Sequence, residues 1–282
     1  PYIIAEIGIN HNGSINKAFK MIDHAVESGC DAVKFQTINI SKLMIENSPL
    51  APYQKKKNIK NMNQLISNYN LSYNDFKKIK KYCDKKKITF LSTPFDEDSA
   101  IFLNKINVKA FKISSSDNDN LNLLKTVKKF NKPIILSTGM SNHKEISLVL
   151  KKIRIKRNKL CLLHCISDYP TDLAGSQIGY LNKLKTFGYP VGFSDHTIVQ
   201  TASIAAISIG SVIIEKHITL SKKMKGPDHI ASLECKDLKN FVFNLKNIKK
   251  SLNTFERNLG KTEKKNKRVA KKTIYFTKNL EK

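Results

Sequence analysis

Short apolar runs of strand length alternate with helical patterns along nearly the whole chain. The strand-like runs are Tyr2–Gly8, Asp31–Thr37, Ile88–Pro94, Ala110–Ser116, Pro133–Gly139, Leu160–Ser167, Pro190–His196 and Val212–Ile218. They are almost continuously hydrophobic, as strands buried on both faces of a parallel sheet must be. Between them, apolar residues recur at helical spacing. The stretch from Asn16 to Glu27 stops at Gly29, Asp96–Leu103 opens on an acidic cap, and Thr201–Ile209 runs into Gly210. A last helix is predicted from Lys236 to Leu259. Eight such units in one chain predict a closed (β/α)8 TIM barrel rather than an open doubly wound sheet. The insert from Ile38 to Asn74 follows the second strand, on the face where such barrels carry their active sites, and is expected to form a lid. Residues 1–259 are thus assigned to the barrel and 260–282 to a basic, polar tail, whose piece Lys272–Phe276 reads as a lone strand.

Composition adjusts this picture only slightly. The 282 residues are ordinary for one barrel of roughly 250 residues, and 40% apolar content supplies a core. The five cysteines (Cys30, Cys83, Cys161, Cys165, Cys235) are odd in number and contain no Cys-x-x-Cys pair, which points away from a disulfide framework or zinc ribbon and toward a reducing, cytoplasmic setting. No apolar run is long enough to span a bilayer and the start carries no secretory signal. The chain opens on Pro1 rather than Met, so a few native residues are expected to precede it. The net charge of +27 would suit nucleic acid or an anionic membrane. However, the basic clusters at Lys55–Lys57, Lys77–Lys87, Lys151–Arg157 and Lys261–Lys272 fall on different predicted sides and lack interleaved aromatics. The expectation is therefore solvated helix faces, with neither nucleic acid nor membrane as partner.

Strand residues two apart share a face, so parity sorts lumen from helix layer. At the C-terminal strand ends it selects Glu6, Lys34 with Gln36, Thr93, Ser115 with Asp117, Ser137, Ser167 with Tyr169, Ser194 with His196, and Glu215 with His217. A barrel built for stability alone would hold Val, Ile and Leu at many of these places. Strand-end hydroxyls such as Thr93 and Ser137 are also ordinary helix caps. Lys34 is different: an ammonium inside Ala32-Val33-Lys34-Phe35 needs an anion, because burying it unpaired costs several kcal/mol. Asp195 and His164 fall on the helix-facing parity and are read as structural, as is Cys165. His11, in Asn10-His11-Asn12-Gly13, is either a ligand or part of a tight turn.

His196 and His217 cap neighbouring strands. Together they form a candidate site for a divalent cation or for acid/base chemistry, with Glu215 close enough to carry a proton.

Several segments carry a family resemblance: Glu6–Gly13, Lys34-Phe35-Gln36, Ala51-Pro52-Tyr53-Gln54, Ser92–Asp96, Leu136–Ser141, Leu163-His164-Cys165, Tyr169-Pro170-Thr171, Gly192–Thr197, Ile214–His217 and Gly226–His229. In this order, over nearly residues 1–235, they resemble the catalytic barrel of the sialic acid synthase family. The resemblance implies condensation of phosphoenolpyruvate with an open-chain N-acetylmannosamine-type sugar, releasing phosphate. It implies that His196 and His217 hold a divalent metal, Mn2+ foremost, with Mg2+ or Co2+ as alternatives. It further implies that Lys34, Thr93, Ser115, Ser137 and Ser194 hold phosphoenolpyruvate, that Glu6, Tyr169 and Asp228 contact the sugar, and that Asp117 and Glu215 move protons. Gln36 and Ser167 join the substrate-binding set.

Two positions depart from the family pattern: Asp117 replaces a usual Glu, and Ser167 often an Asn. A 2,4-diacetamido sugar, the legionaminic acid precursor, thereby becomes a second acceptor. Family members are homodimers in which a C-terminal antifreeze-like domain reaches the partner's active site with an arginine. Here the chain ends at Lys282, where that domain is expected to begin, so a competing expectation is an inactive or regulatory barrel that binds sugar or anion without turnover.

Overall fold

In the computed structural model the described residues are 1–39, 69–253, 256–272 and 274. Eight parallel strands form the barrel: β1 (Tyr2–Gly8), β2 (Ala32–Thr37), β3 (Thr89–Pro94), β4 (Phe111–Ile113), β5 (Ile134–Ser137), β6 (Leu160–His164), β7 (Val191–Asp195) and β8 (Ile213–Thr219). Their order is β3-β2-β1-β8-β7-β6-β5-β4, with β3 and β4 in contact across the seam, which makes a (β/α)8 TIM barrel. A ninth strand, β9 (Leu233–Glu234), extends β8 at its C-terminal end. The helices are α1 (Ile15–Glu27), α2 (Tyr73–Lys85), α3 (Glu97–Lys105), α4 (Leu121–Lys129), α5 (His143–Ile153), α6 (Tyr180–Lys185), α7 (Thr201–Ile209), α8 (Cys235–Leu252) and α9 (Lys261–Ala270).

Strand parity builds two cores. Ile3, Ala5, Ile7, Val33, Phe35 and Phe90 face outward against the helices, where Phe35 stacks on Phe90 and meets Phe76 edge-on. The alternate residues fill the lumen. Ile4, Ala32, Leu91, Ile135, Cys161, Leu163 and Ile213 form its apolar lower layer, and above it lie the buried polar groups Glu6, Lys34, Thr93, Lys112, Ser137, Ser194 and Glu215. Helix starts are set by side chains. Ser72 with Asp75 and Asn142 with Glu145 make reciprocal capping boxes on α2 and α5, each cap contributing about 1 kcal/mol.

Three expectations need correction. The fourth strand stops at Ile113, because Ser114, Ser116 and Asp117 bond to one another in a tight turn, Ser115–Asp117, instead of joining the ladder. The last barrel helix ends at Leu252 rather than Leu259. The polar tail contains a helix, α9, because its Lys, Glu and Arg are good helix formers even with no buried face. Most of the insert expected to form a lid, the Ala51–Gln54 motif, the Lys55–Lys57 cluster and the end of the Lys272–Phe276 piece lie outside the described residues. The other three basic clusters sit on α2, at the end of α5 and on α9, as separate solvated faces. Among the described residues no helix is long and apolar enough to cross a membrane.

Candidate active site

Register brings the polar lumen layer together. Glu6 is level with Lys34 on one side and His217 on the other, Gln36 pairs with Thr93, and Ser194 pairs with Glu215. Lys34 Nζ lies 2.9 Å from Glu6 Oε2, 3.6 Å from Glu215 Oε2 and 3.2 Å from Thr93 Oγ1. A second buried ammonium, Lys112, donates to Ser137 Oγ at 2.6 Å and stands 3.8 Å from Glu215 Oε1, which also accepts from Ser194 Oγ at 2.8 Å. Parity alone did not select Lys112. Yet it interrupts Ala110-Phe111-Lys112-Ile113 just as Lys34 interrupts its own run, and the same rule about buried ammoniums would have found it.

The two carboxyls behave oppositely. Burial pushes Glu6 up to about 8, with the Glu215 charge adding to the rise and Lys34 only partly offsetting it. Burial also acts to raise Glu215, but Lys112, Lys34 and the Ser194 hydroxyl outweigh it and hold the group down at about 2. Lys34 is raised because Glu215 and Glu6 overcome its desolvation, whereas desolvation prevails at Lys112 and lowers it. At neutral pH the layer thus contains one firm carboxylate, one carboxyl close to neutrality and two lysines. Glu6 Oε1 and Oε2 and Glu215 Oε2 are buried without a well-directed hydrogen bond, Glu6 Oε2 and Glu215 Oε2 being held only by their proximity to Lys34. A cluster with surplus positive charge and open oxygens suits an anionic ligand that also carries hydroxyls.

The histidines meet beside this cluster, with ring centroids 5.8 Å apart. His196 Nδ1 donates to Ile166 O at 2.5 Å, which turns Nε2 inward, 3.3 Å from Ser194 Oγ. His217 Nδ1 is buried without a hydrogen bond, 4.0 Å from Asp228 Oδ2. Burial lowers His196 to about 4 and also holds His217 well below the usual histidine range, so both rings are neutral. Neutral imidazoles, one oriented by a backbone carbonyl, fit a divalent metal. Among the described residues, however, no group of three or more His, Cys, Asp or Glu side chains gathers at one point, so His196 and His217 stand as a pair of candidate ligands. The Tyr169 ring lies 4.1 Å from His196 and 5.8 Å from His217.

On the far side of Ser137 the backbone forms a small cradle. A Cβ at Gly139 would come within 2.7 Å of Ser167 Oγ and 2.8 Å of both Cys165 Sγ and Ser115 Oγ. Gly139 N donates to Ser115 Oγ at 3.1 Å. Absence of a side chain here keeps three polar atoms converged on one point. Cys165, read from sequence as structural, packs against the Gly139 backbone with its Sγ 3.1 Å from Ser115 Oγ. Gln36 reaches the mouth near Gly8, where a Cβ would lie 3.6 Å from Gln36 Nε2. Asp117 is not brought in by any contact: its oxygens accept from Ser114, Ser116 and Asn120. His11 belongs to its turn, accepting from Gly13 N. His164 bonds Ser176 O, and Asp195 pairs with Lys216 at 3.1 Å behind the two histidines, as helix-facing parity required.

Residues 21–257 match the NeuB family. The chain is 40% identical to the N,N'-diacetyllegionaminic acid synthase of Campylobacter jejuni, over 99% of this chain and 86% of that protein. It is 32% identical to the synthase of the same name from Legionella pneumophila, over 99% and 81% respectively. Among solved structures, the N-acetylneuraminic acid (sialic acid) synthetase of Leptospira borgpetersenii, in complex with citrate, superposes with a TM-score of 0.83 at 31% identity, covering 95% of this chain and 90% of that one. Fold, motif order and sequence agree over nearly the whole length, and the chain belongs to the NeuB family.

Proposed function

We propose that the chain is a nonulosonic acid synthase that condenses phosphoenolpyruvate with an N-acetylmannosamine-type sugar, giving a 2-keto sugar acid and inorganic phosphate. The observation that supports this best is the pair of buried lysines, Lys34 and Lys112, which flank the Glu215 carboxylate at 3.6 Å and 3.8 Å. An anion with both a phosphate and a carboxylate satisfies two separate cationic points. Lys34 with Thr93 would hold one end. Lys112 with Ser137, and the hydroxyls of Ser115 and Ser167 around Gly139, would hold the other. Ser194 would contribute through Glu215.

In the condensation the enol carbon of phosphoenolpyruvate attacks the sugar aldehyde carbon, forming the C–C bond. Water adds to the resulting cationic carbon, and the C–O bond to phosphate then breaks. One proton must reach the aldehyde oxygen and another must leave the water. Glu6, with a carboxyl held up to about 8, is suited to donate. Glu215, held ionised at about 2, is suited to steady the cation and orient the water through Ser194. Asp117 would act only after leaving the hydrogen bonds of its own turn. His196 and His217 would hold a divalent metal, manganese foremost, which when bound polarises the aldehyde or the water. Tyr169, Gln36 and Asp228 would receive the sugar.

A 2,4-diacetamido sugar is the second acceptor, favoured by the two legionaminic acid synthases among the relatives. Phosphate release from phosphoenolpyruvate is the test, with and without manganese, on addition of N-acetylmannosamine or a 2,4-diacetamido hexose. Release with one sugar and not the other selects the acceptor. Binding of both substrates without release points to the non-catalytic barrel.

A further inference from the structure

The loop after β8 carries Asp228 past His217, with Asp228 Oδ2 4.0 Å from His217 Nδ1. Its apolar Ile230 is 63% exposed, so a buried large side chain does not anchor that part of the loop. Hydrogen bonds to the loop after β1 anchor it at two points. His229, 1% exposed, is engaged at both ring nitrogens: Nδ1 lies 2.7 Å from Thr219 Oγ1 and Nε2 3.0 Å from Asn12 Oδ1. Asn12 Nδ2 donates to Lys225 O at 2.9 Å, which fixes the amide so that its oxygen faces the imidazole and Nε2 carries the hydrogen. The backbone of Gly226 lies against the ring, since a Cβ there would fall 2.5 Å from His229 Cδ2. The second anchor is Ser232, whose Oγ donates to Asp228 O at 2.7 Å and accepts from Asn10 Nδ2 at 2.8 Å. Asn10 Nδ2 also reaches Ile218 O at 2.9 Å.

We propose that His229, working through Thr219 and Asn12, is a positioning residue for the sugar side of the mouth. The imidazole bolts the β8 loop to the β1 loop and so fixes the Asp228 carboxylate beside His217. Buried hydrogen bonds are suited to this task because they set both distance and direction. The proposal rests on the reading of Asp228 as a sugar contact.

Four proteins test it: the full chain, His229→Phe, Thr219→Val and Thr219→Ser. Phe keeps the ring volume and loses both bonds, Val keeps the shape of Thr without its hydroxyl, and Ser restores the hydroxyl. In the first two variants the KM for N-acetylmannosamine should rise about tenfold while the KM for phosphoenolpyruvate stays within about twofold, the factor expected from losing a buried hydrogen bond on one side of the site only. Thr219→Ser should remain close to the parent. Amide hydrogen exchange over residues 221–231 should quicken in the same two variants, with the barrel strands unchanged. An unchanged sugar KM, or a joint rise of both KM values with faster exchange in the strands, overturns the proposal. If the parent chain fails to turn over N-acetylmannosamine, the functional reading falls separately. The exchange measurement still decides the bolt, and slow, unchanged exchange of 221–231 in His229→Phe overturns it.

Discussion

Lys34 Nζ stands 2.9 Å from Glu6 Oε2, with both side chains almost fully buried, yet the two members of the pair are unequal. Glu215 also faces Lys34 and is the carboxylate that keeps its charge. Lys34→Met therefore strands a buried anion and should destabilise the chain by about 3–5 kcal/mol. Glu6→Gln should raise the urea midpoint at neutral pH, because the Glu6 carboxyl, raised by burial to about 8, must take up a proton on folding, whereas Gln is neutral in both states. It should nonetheless abolish most of the phosphate release, separating the residue's chemistry from its structural weight.

Lys112 donates to Ser137 Oγ at 2.6 Å and to Ile113 O at 3.3 Å, and makes a more distant ionic contact with Glu215. Lys112→Met should cost some stability, because Lys112 is the foremost charge holding the buried Glu215 ionised, although burial already disfavours its own charged form. Its further effect should fall on the anion. The KM for phosphoenolpyruvate is expected to rise about 10- to 100-fold, the value of a hydrogen bond to a charged group. Equal affinity for phosphoenolpyruvate by calorimetry in parent and variant would remove Lys112 from the cradle.

Gly139→Ala places a methyl group 2.7–2.8 Å from three polar atoms. The alanine can be accommodated only by displacing Ser115, Cys165 or Ser167, so the melting temperature should fall modestly while affinity for phosphoenolpyruvate collapses. Gly192→Ala makes the contrasting case. Its methyl would enter the apolar layer at 2.5 Å from Leu163 and 2.8 Å from the Ile213 carbonyl oxygen, so stability should be lost.

His11 is buried and its pKa is lowered to about 4 by desolvation. The unfolded chain, with an ordinary histidine near 6.5, binds the proton more readily than the folded one. Stability from this group is therefore complete above about pH 6.5 and declines, by up to roughly 1.4 kcal/mol per pH unit, as pH falls toward 4. Urea titrations of the parent and His11→Gln at pH 7 and pH 5 check this. The parent should lose more stability between the two pH values than the variant does.

Much of this was legible from pattern alone. Period-two parity over buried strands placed Glu6, Lys34, Ser137, Ser194, Glu215 and His217 in one lumen and excluded Asp195 and His164, because a parallel barrel leaves each strand residue only two directions. Parity failed where the strand itself stopped. The parity count reaches Asp117 along a strand that ends at Ile113, and the turn that replaces it follows from serine and aspartate side chains bonding to one another across a few residues. The Gly139 cradle was invisible for a different reason. Gly139 and its partners come from three separate connections, after β4, β5 and β6, and no local signal reports which loops converge.

The apolar layer of Ile4, Leu91, Ile135, Leu163 and Ile213 beneath the charged groups has a consequence for them. It acts as an electrical insulator. With hydrocarbon below, the fields of Lys34, Lys112 and Glu215 are weakly screened from that side and concentrate toward the open end, where a ligand arrives. A polar residue at Leu91 or Leu163 would let water rise from below, draw Glu6 back toward an ordinary carboxylate and weaken the pull on an incoming anion, with every residue of the mouth still in place.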